Sequence, residues 1–139
     1  MAEPADHAFR LTGLAVEAVT TDASPRGRSA LALMDKMLDV ALESANQAVE
    51  HGDSLPEAHY QRGIVLMSRR EYDAASTAFD KATTLDPSFA SAHYWGGLAD
   101  SRAKHTSRMA NHFEAFLKLA PNAPERALVE STMRTVRGR

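Results

Sequence analysis

The chain of 139 residues contains no cysteine, which excludes a disulfide framework, thiolate catalysis and cysteine-ligated zinc. No run of 18 or more apolar residues occurs, so no segment reads as crossing a bilayer. GxGxxG, P-loop, HExxH and GxSxG patterns are all missing, and with them the short signatures of dinucleotide, phosphate, zinc-protease and serine-hydrolase chemistry. Aromatic residues are scarce at 6%, with one tryptophan, Trp95. Charge of either sign is not in excess: the net value of −2 gives no global field toward nucleic acid or an anionic membrane. The opening Met1-Ala-Glu-Pro4 lacks the basic stretch and apolar core of a signal peptide. The expected location is therefore cytoplasmic, or periplasmic if a targeting segment has been removed.

What is present describes one soluble domain. An apolar share of 44% and a charged share of 24% are ordinary for globular chains, and the length suits one core, not two. Charge is unevenly spread, at −6 over residues 1–60 and +4 over residues 61–139. Such polarity suits the orienting of a partner or head-to-tail association, although ordinary solvated helix faces produce it too.

Two windows of 34 residues, 56–89 and 90–123, repeat one another. Ala58/Ala92, His59/His93, Tyr60/Tyr94, Gly63/Gly97, Phe79/Phe113, Leu85/Leu119 and Pro87/Pro121 recur at one offset. Gly63 and Ala75 are small where two antiparallel helices must approach closely. Phe79 supplies bulk on the same helix face as Ala75 and Ala82. Asp86-Pro87 closes the second helix, because proline cannot continue it and disfavours helical backbone in the residue before it. A helical pair built this way leaves an apolar face that only a neighbouring pair covers, so the units stack.

The first window resembles the tetratricopeptide repeat family: Gly63, the Ala75–Phe79–Ala82 series, the Glu71-Tyr72-Asp73 turn and Pro87 match its pattern, and 34 is its repeat length. The resemblance implies an all-α, right-handed superhelix of stacked antiparallel hairpins with about seven helices. The second window departs from the pattern at Asp100, Met109 and Phe116, opposite Leu66, Ala75 and Ala82. It is expected to be a terminal repeat with Met109, Phe113, Phe116 and Leu117 inward.

The flanks complete a single domain over 1–139. Residues 5–51 are expected to form a degenerate helical pair. Its first helix would span about 5–20, with Phe9, Leu11, Leu14, Val16 and Val19 apolar. Thr21–Arg28 reads as a loop carrying Pro25 and Gly27. The second helix would run from an N-cap at Ser29 to a stop at Gly52. Its apolar row comprises Leu31, Met34, Leu38, Ala41, Leu42, Ala45, Ala48 and Val49. Downstream, 122–137 reads as a capping helix with Asn122 as cap, Pro124 in its first turn, and Val129, Met133 and Val136 as its apolar stripe.

The resemblance also implies where a ligand sits, since the family lines its concave groove from the first helix of each repeat. That places Tyr60, Gln61, Ile64, Met67 and Ser68, with Tyr94, Trp95, Leu98, Ser101 and Arg102, on a peptide-binding face. The competing reading is that the rings simply pack inside. Family members that clamp a terminal carboxylate use Lys, Asn and Arg at such positions; here they hold Tyr, Ile, Gln, Ser and Trp. An apolar peptide or a partner's helix therefore fits better. The expected function is a non-catalytic protein- or peptide-binding adaptor, with a self-associating scaffold as the alternative.

Six histidines raise the question of metal or catalysis. His59 and His93 hold one repeat position, but two imidazoles make no usual metal site, and no His/Asp/Glu spacing matches a known ligand set. His105 and His112, seven apart, read as a surface pair. No cofactor, metal or catalytic residue is expected. The basic groups Arg69-Arg70 and Arg102/Lys104/Arg108 lack an aromatic array beside them, so nucleic acid is not an expected partner.

Overall fold

The structure, a computed structural model, describes residues 25–137. Six helices fill it: α1 (Pro25–His51), α2 (Pro56–Ser68), α3 (Tyr72–Leu85), α4 (Ala90–Ala103), α5 (Thr106–Leu119) and α6 (Arg126–Arg137). Among the described residues there is no strand, and no helix is long and apolar enough to cross a membrane. The helix expected at about 5–20 lies outside the described residues.

α1 begins four residues before the expected cap. Pro25 takes the first turn, where its fixed φ is already helical and its missing N–H leaves nothing unsatisfied. Ser29 is thus inside the helix, and the expected loop is shorter at its end. The inward row is Leu31, Met34, Leu38, Ala41, Leu42, Ala45 and Val49, at three- and four-residue steps. Ala48 was expected in that row but is exposed, because the row passes from Ala45 directly to Val49. Gly52 ends the helix, its N–H bonding the carbonyl of Ala48 at 2.9 Å.

α2 pairs with α3 and α4 with α5; α3 packs on α4, joining the hairpins, while α1 lies against α2 and α6 against α5. Both hairpins turn identically. Arg70 and Lys104, 34 residues apart, adopt left-handed backbone at φ 62° and 64°. Glu71 and His105 then bond back to the carbonyls of Leu66 and Asp100, at 2.9 and 2.8 Å. This six-to-one closure ends a helix and starts an antiparallel return. α6 starts at Arg126, later than expected, because Ala123 and Arg126 close successive turns on Ala120 and Ala123 and leave Pro124 outside the helix. Val129 and Met133 of α6 are buried against the core, and Val136 packs at its edge.

The core is centred on Tyr60, Phe79, Met109 and Phe113, all essentially inaccessible. Each hairpin closes by one device, a glycine under a phenylalanine sixteen residues later. A Cβ on Gly63 would lie 2.7–2.9 Å from three atoms of the Phe79 ring, closer than side chains tolerate. A Cβ on Gly97 would overlap the edge of the Phe113 ring more severely. Alanine is the better helix former by about 0.8–1.0 kcal/mol. Overpacking a closed core costs about 1–3 kcal/mol, and Phe79 and Phe113 have no exposed surface into which to retreat. The clash therefore wins.

Gly97→Ala is expected to lower unfolding stability by about 1–3 kcal/mol, and Gly63→Ala by somewhat less. Gly96→Ala, whose Cβ would meet the His112 ring at 3.1–3.2 Å, should cost least. Urea denaturation of the three variants checks the order. Adding Phe113→Leu to Gly97→Ala should restore part of the loss.

Candidate functional site

The ten residues expected on a binding face divide sharply by exposure. Tyr60 is 1% exposed, its ring 5.9 Å from Phe79 and 4.8 Å from Phe89, and Ile64 is buried beside it. These two belong to the core, because Phe89, at the entry to α4, covers the side of α2 that would otherwise be open. Tyr94 and Trp95 are each 8% exposed and pack edge-to-face at 5.2 Å, with Phe116 5.3 Å from Tyr94. The expected wall of aromatic faces is thus a set of ring edges. Met67, Ser68, Leu98 and Ser101 are half-buried, while Gln61 and Arg102 are exposed. The Ser68 hydroxyl donates to the carbonyl of Ile64, and the Arg102 guanidinium sits 5.9 Å above the Tyr72 ring.

Two open cavities border this set. One, of about 460 Å³, lies between α1 and the end of α2, with Leu31, Met34, Leu38, Ser68 and Arg69 in its wall. The other, of about 700 Å³, has an apolar floor from Leu42, Leu66 and Tyr72 and a basic rim of Arg62, Arg70, Arg102 and Lys104; Glu71 and Asp73 are its acids.

A third feature is a buried polar cluster where α3, α4 and α5 meet. Asp100 of α4 is wholly inaccessible. Its Oδ1 accepts the hydroxyl of Ser76, also fully buried; its Oδ2 has no hydrogen bond. His112 of α5 lies across Gly96 and Nε2 faces two carboxylates, Asp80 Oδ1 at 2.5 Å and Asp100 Oδ2 at 3.8 Å. Its Nδ1 meets His93 Nδ1 at 3.0 Å, and His93 Nε2 meets the carbonyl of Pro87 at 2.9 Å. Arg108 closes the rim, 3.4 Å from Asp80 Oδ2 and 3.7 Å from Asp100 Oδ1.

The hydrogen-bond directions follow from one carbonyl. Pro87 O only accepts, so His93 carries its proton on Nε2 and, when neutral, accepts at Nδ1. His112 then donates from Nδ1, and its Nε2 is turned toward the carboxylates, hydrogen-bonded to Asp80 Oδ1. Desolvation holds the His93 imidazole below its ordinary range, outweighing the bond to Pro87 O, in keeping with a neutral ring. Burial likewise pushes the Asp100 carboxyl above the usual carboxylate range, against the bond from Ser76. Ligand atoms of Asp80, Asp100 and His112 lie within 4.8 Å of one another, a spacing that can hold a cation.

Residues 56–89 match the family model of the tetratricopeptide repeat. This segment is similar to a tetratricopeptide repeat. The match spans α2, α3 and the Asp86-Pro87 exit, the hairpin whose closure rests on Gly63 and Phe79.

Subtracting this repeat from the next, at the 34-residue offset, locates the cluster. Arg62, Leu66 and Ala78 of the tetratricopeptide segment become Gly96, Asp100 and His112. All three changes converge on one point: Gly96 clears room for the imidazole, His112 supplies it, and Asp100 faces it. Sequence reasoning assigned His112 to a surface pair with His105, but only His105 is partly exposed, bonded to Asp73; His112 is buried. Asp80, Asp100 and His112 were missed because they come from three helices and share no local spacing. The repeat difference was the available signal. His59 and His93, whose equivalence was noticed, play parallel parts, each binding a carbonyl six residues back (Asp53 and Pro87).

The lowered His93 value fixes a pH dependence. Below its ordinary value of 6.5 the unfolded chain takes up a proton here that the folded chain resists, so unfolding binds protons. Stability from this group is complete above pH 6.5 and falls as pH drops toward the folded value. In chelator-containing buffer, the melting temperature of the wild type should decline just below pH 6.5, and His93→Gln should flatten that decline.

Proposed function

We propose that the protein is a non-catalytic adaptor that holds a segment of a partner protein on the concave side of its stacked hairpins, the side lined by α2 and α4. The observation that supports this is the cavity of about 700 Å³ at the hairpin-turn ends of α2 and α4, which is lined by apolar residues and four cationic side chains. Arg102, one of the residues expected on the binding face, reaches it. A peptide presenting an acidic side chain next to an apolar one matches that wall in charge and in character. Gln61, Met67, Leu98 and Ser101 extend the accessible surface along the same two helices. The buried rings beneath them keep the face rigid.

The buried cluster argues for the non-catalytic reading. Ser76, Asp100 and His112 are the residue types of a hydrolytic triad, but their order is wrong. The serine hydroxyl donates to the carboxylate, not to the imidazole, and it is fully buried. The imidazole is not placed to take its proton, and burial keeps a substrate carbonyl from it.

Arg102→Glu combined with Lys104→Glu should cut recovery of the bound partner from source-cell extracts at least fivefold, with unchanged circular dichroism and melting temperature. Equal recovery by a folded double variant would sink the assignment of this cavity.

A second reading, self-association, is favoured by the outer face of α1. Leu33, Met37 and Val40 recur at helical spacing and are 60–66% exposed, an apolar stripe of the kind that marks interaction sites. Light scattering across a concentration series decides it. Dimeric wild type with monomeric Met37→Glu supports association through this stripe. Wild type monomeric at every concentration rejects it.

A further inference from the structure

We propose that Asp80, Asp100 and His112 form a binding site for one divalent transition-metal ion, with zinc the best match. The proposal is independent of the adaptor reading and rests on the junction of the two hairpins, not on the accessible face.

Three observations support it. The first is the orphaned oxygen. Asp100 Oδ2 is wholly buried and lacks a hydrogen bond, while its carboxylate mate is held by Ser76. A buried carboxylate oxygen left so loses its hydration without compensation, and a coordinated cation supplies the missing partner. The second is the direction of the histidine relay. His93 donates to Pro87 O and His112 Nδ1 donates to His93, so the relay fixes the ring and turns His112 Nε2 toward Asp80 and Asp100. A proton on Nε2 bonds one carboxylate oxygen well; at 3.8 Å it does not reach Asp100 Oδ2. A metal ion serves all three atoms together. The third is the relay itself, since metal-bound histidines characteristically donate their other ring N–H to a fixed acceptor that sets tautomer and ring orientation. Here that acceptor is His93, anchored in turn to the backbone.

The donor set selects the ion. Two carboxylate oxygens and one imidazole nitrogen, without sulfur, suit zinc and its first-row neighbours better than magnesium or calcium, which prefer all-oxygen shells. Around an ion with bonds of about 2.1 Å, ligand atoms stand about 3.3–4.2 Å apart; the His112–Asp100 separation of 3.8 Å already fits, and the Asp80 carboxylate, now hydrogen-bonded to His112, has to swing outward to admit the ion in place of the proton. Remaining positions open on a cavity of about 210 Å³ lined by His93, Arg108 and Asn111, which has room for a water ligand. Arg108 is the local counter-charge. Its contacts of 3.4 and 3.7 Å are loose, and its half-exposed side chain is free to turn outward as an ion enters. An ion here would tie α3 of the first hairpin to α4 and α5 of the second.

The test titrates the full chain with zinc against a chromophoric chelator at pH 7, and repeats it with cobalt while recording its visible absorption. Wild type should take up one equivalent, with a rise in melting temperature and a low-symmetry cobalt spectrum. Asp80→Asn, a half-exposed position where folding should be preserved, and His112→Gln should each weaken binding at least about tenfold. His105→Gln, which faces Asp73 on the surface, should leave it unchanged. Absence of a stoichiometric wild-type site, or binding undiminished in folded Asp80→Asn, overturns the proposal; so does loss of the site in His105→Gln alone.

Discussion

A phenylalanine ring laid on a bare helical backbone is the contact on which the rest of the structure depends. Where Phe79 meets Gly63 and Phe113 meets Gly97, two antiparallel helices come closer than any side chain at the glycine would permit. That approach sets the spacing of each hairpin, and hence which residues are sealed and which reach water. Because the two contacts are equivalent and 34 residues apart, the hairpins repeat one another, and they pack together through α3 and α4. The left-handed turns at Arg70 and Lys104 follow from the same demand. A six-to-one helix closure returns the chain within a few residues, and two non-glycine residues accept backbone that normally disfavours them.

Much of this was legible in the sequence because a repeat tests itself. One glycine in a helix is ambiguous; two, each sixteen residues before a phenylalanine and one period apart, are not. The all-helical fold, the two hairpins and the inward side of α1 followed from periodicity. The errors at helix ends have local causes. Pro25 starts a helix as readily as it breaks one, and Pro124 sits in a chain of turns closed by backbone bonds that composition does not encode. Ala48 shows the limit of a row drawn by spacing alone, since a small residue fits either side of such a row.

The binding face was the harder inference. Repeat position correctly brought Tyr60, Ile64, Tyr94 and Trp95 to the first helix of each pair, but position does not state how far the next element overlaps. Phe89, the last residue of the first repeat, packs on Tyr60, and Phe116 of the second flanks Tyr94, so both tyrosines are covered. What stays accessible is the polar and flexible remainder, with the basic rim of a cavity at the hairpin turns.

The polar cluster and the glycine contacts are connected by a single residue pair. In the tetratricopeptide segment Arg62 precedes Gly63 and Ala78 precedes Phe79; one period later Gly96 precedes Gly97 and His112 precedes Phe113. The second hairpin thus doubles the close approach and fills the added space with an imidazole in place of a methyl group. Leucine at Asp100 would have completed an ordinary apolar seam, as Leu66 does. An ionisable pair in that position is a costly replacement for packing unless something compensates the buried charge. Protein groups compensate it only in part: Ser76 and the loose Arg108 satisfy one oxygen of Asp100 and leave the other facing His112 at 3.8 Å. The departure from the repeat therefore places a buried, incompletely satisfied carboxylate against an imidazole, and Gly96, beside the glycine that lets the helices close, makes the room for that ring.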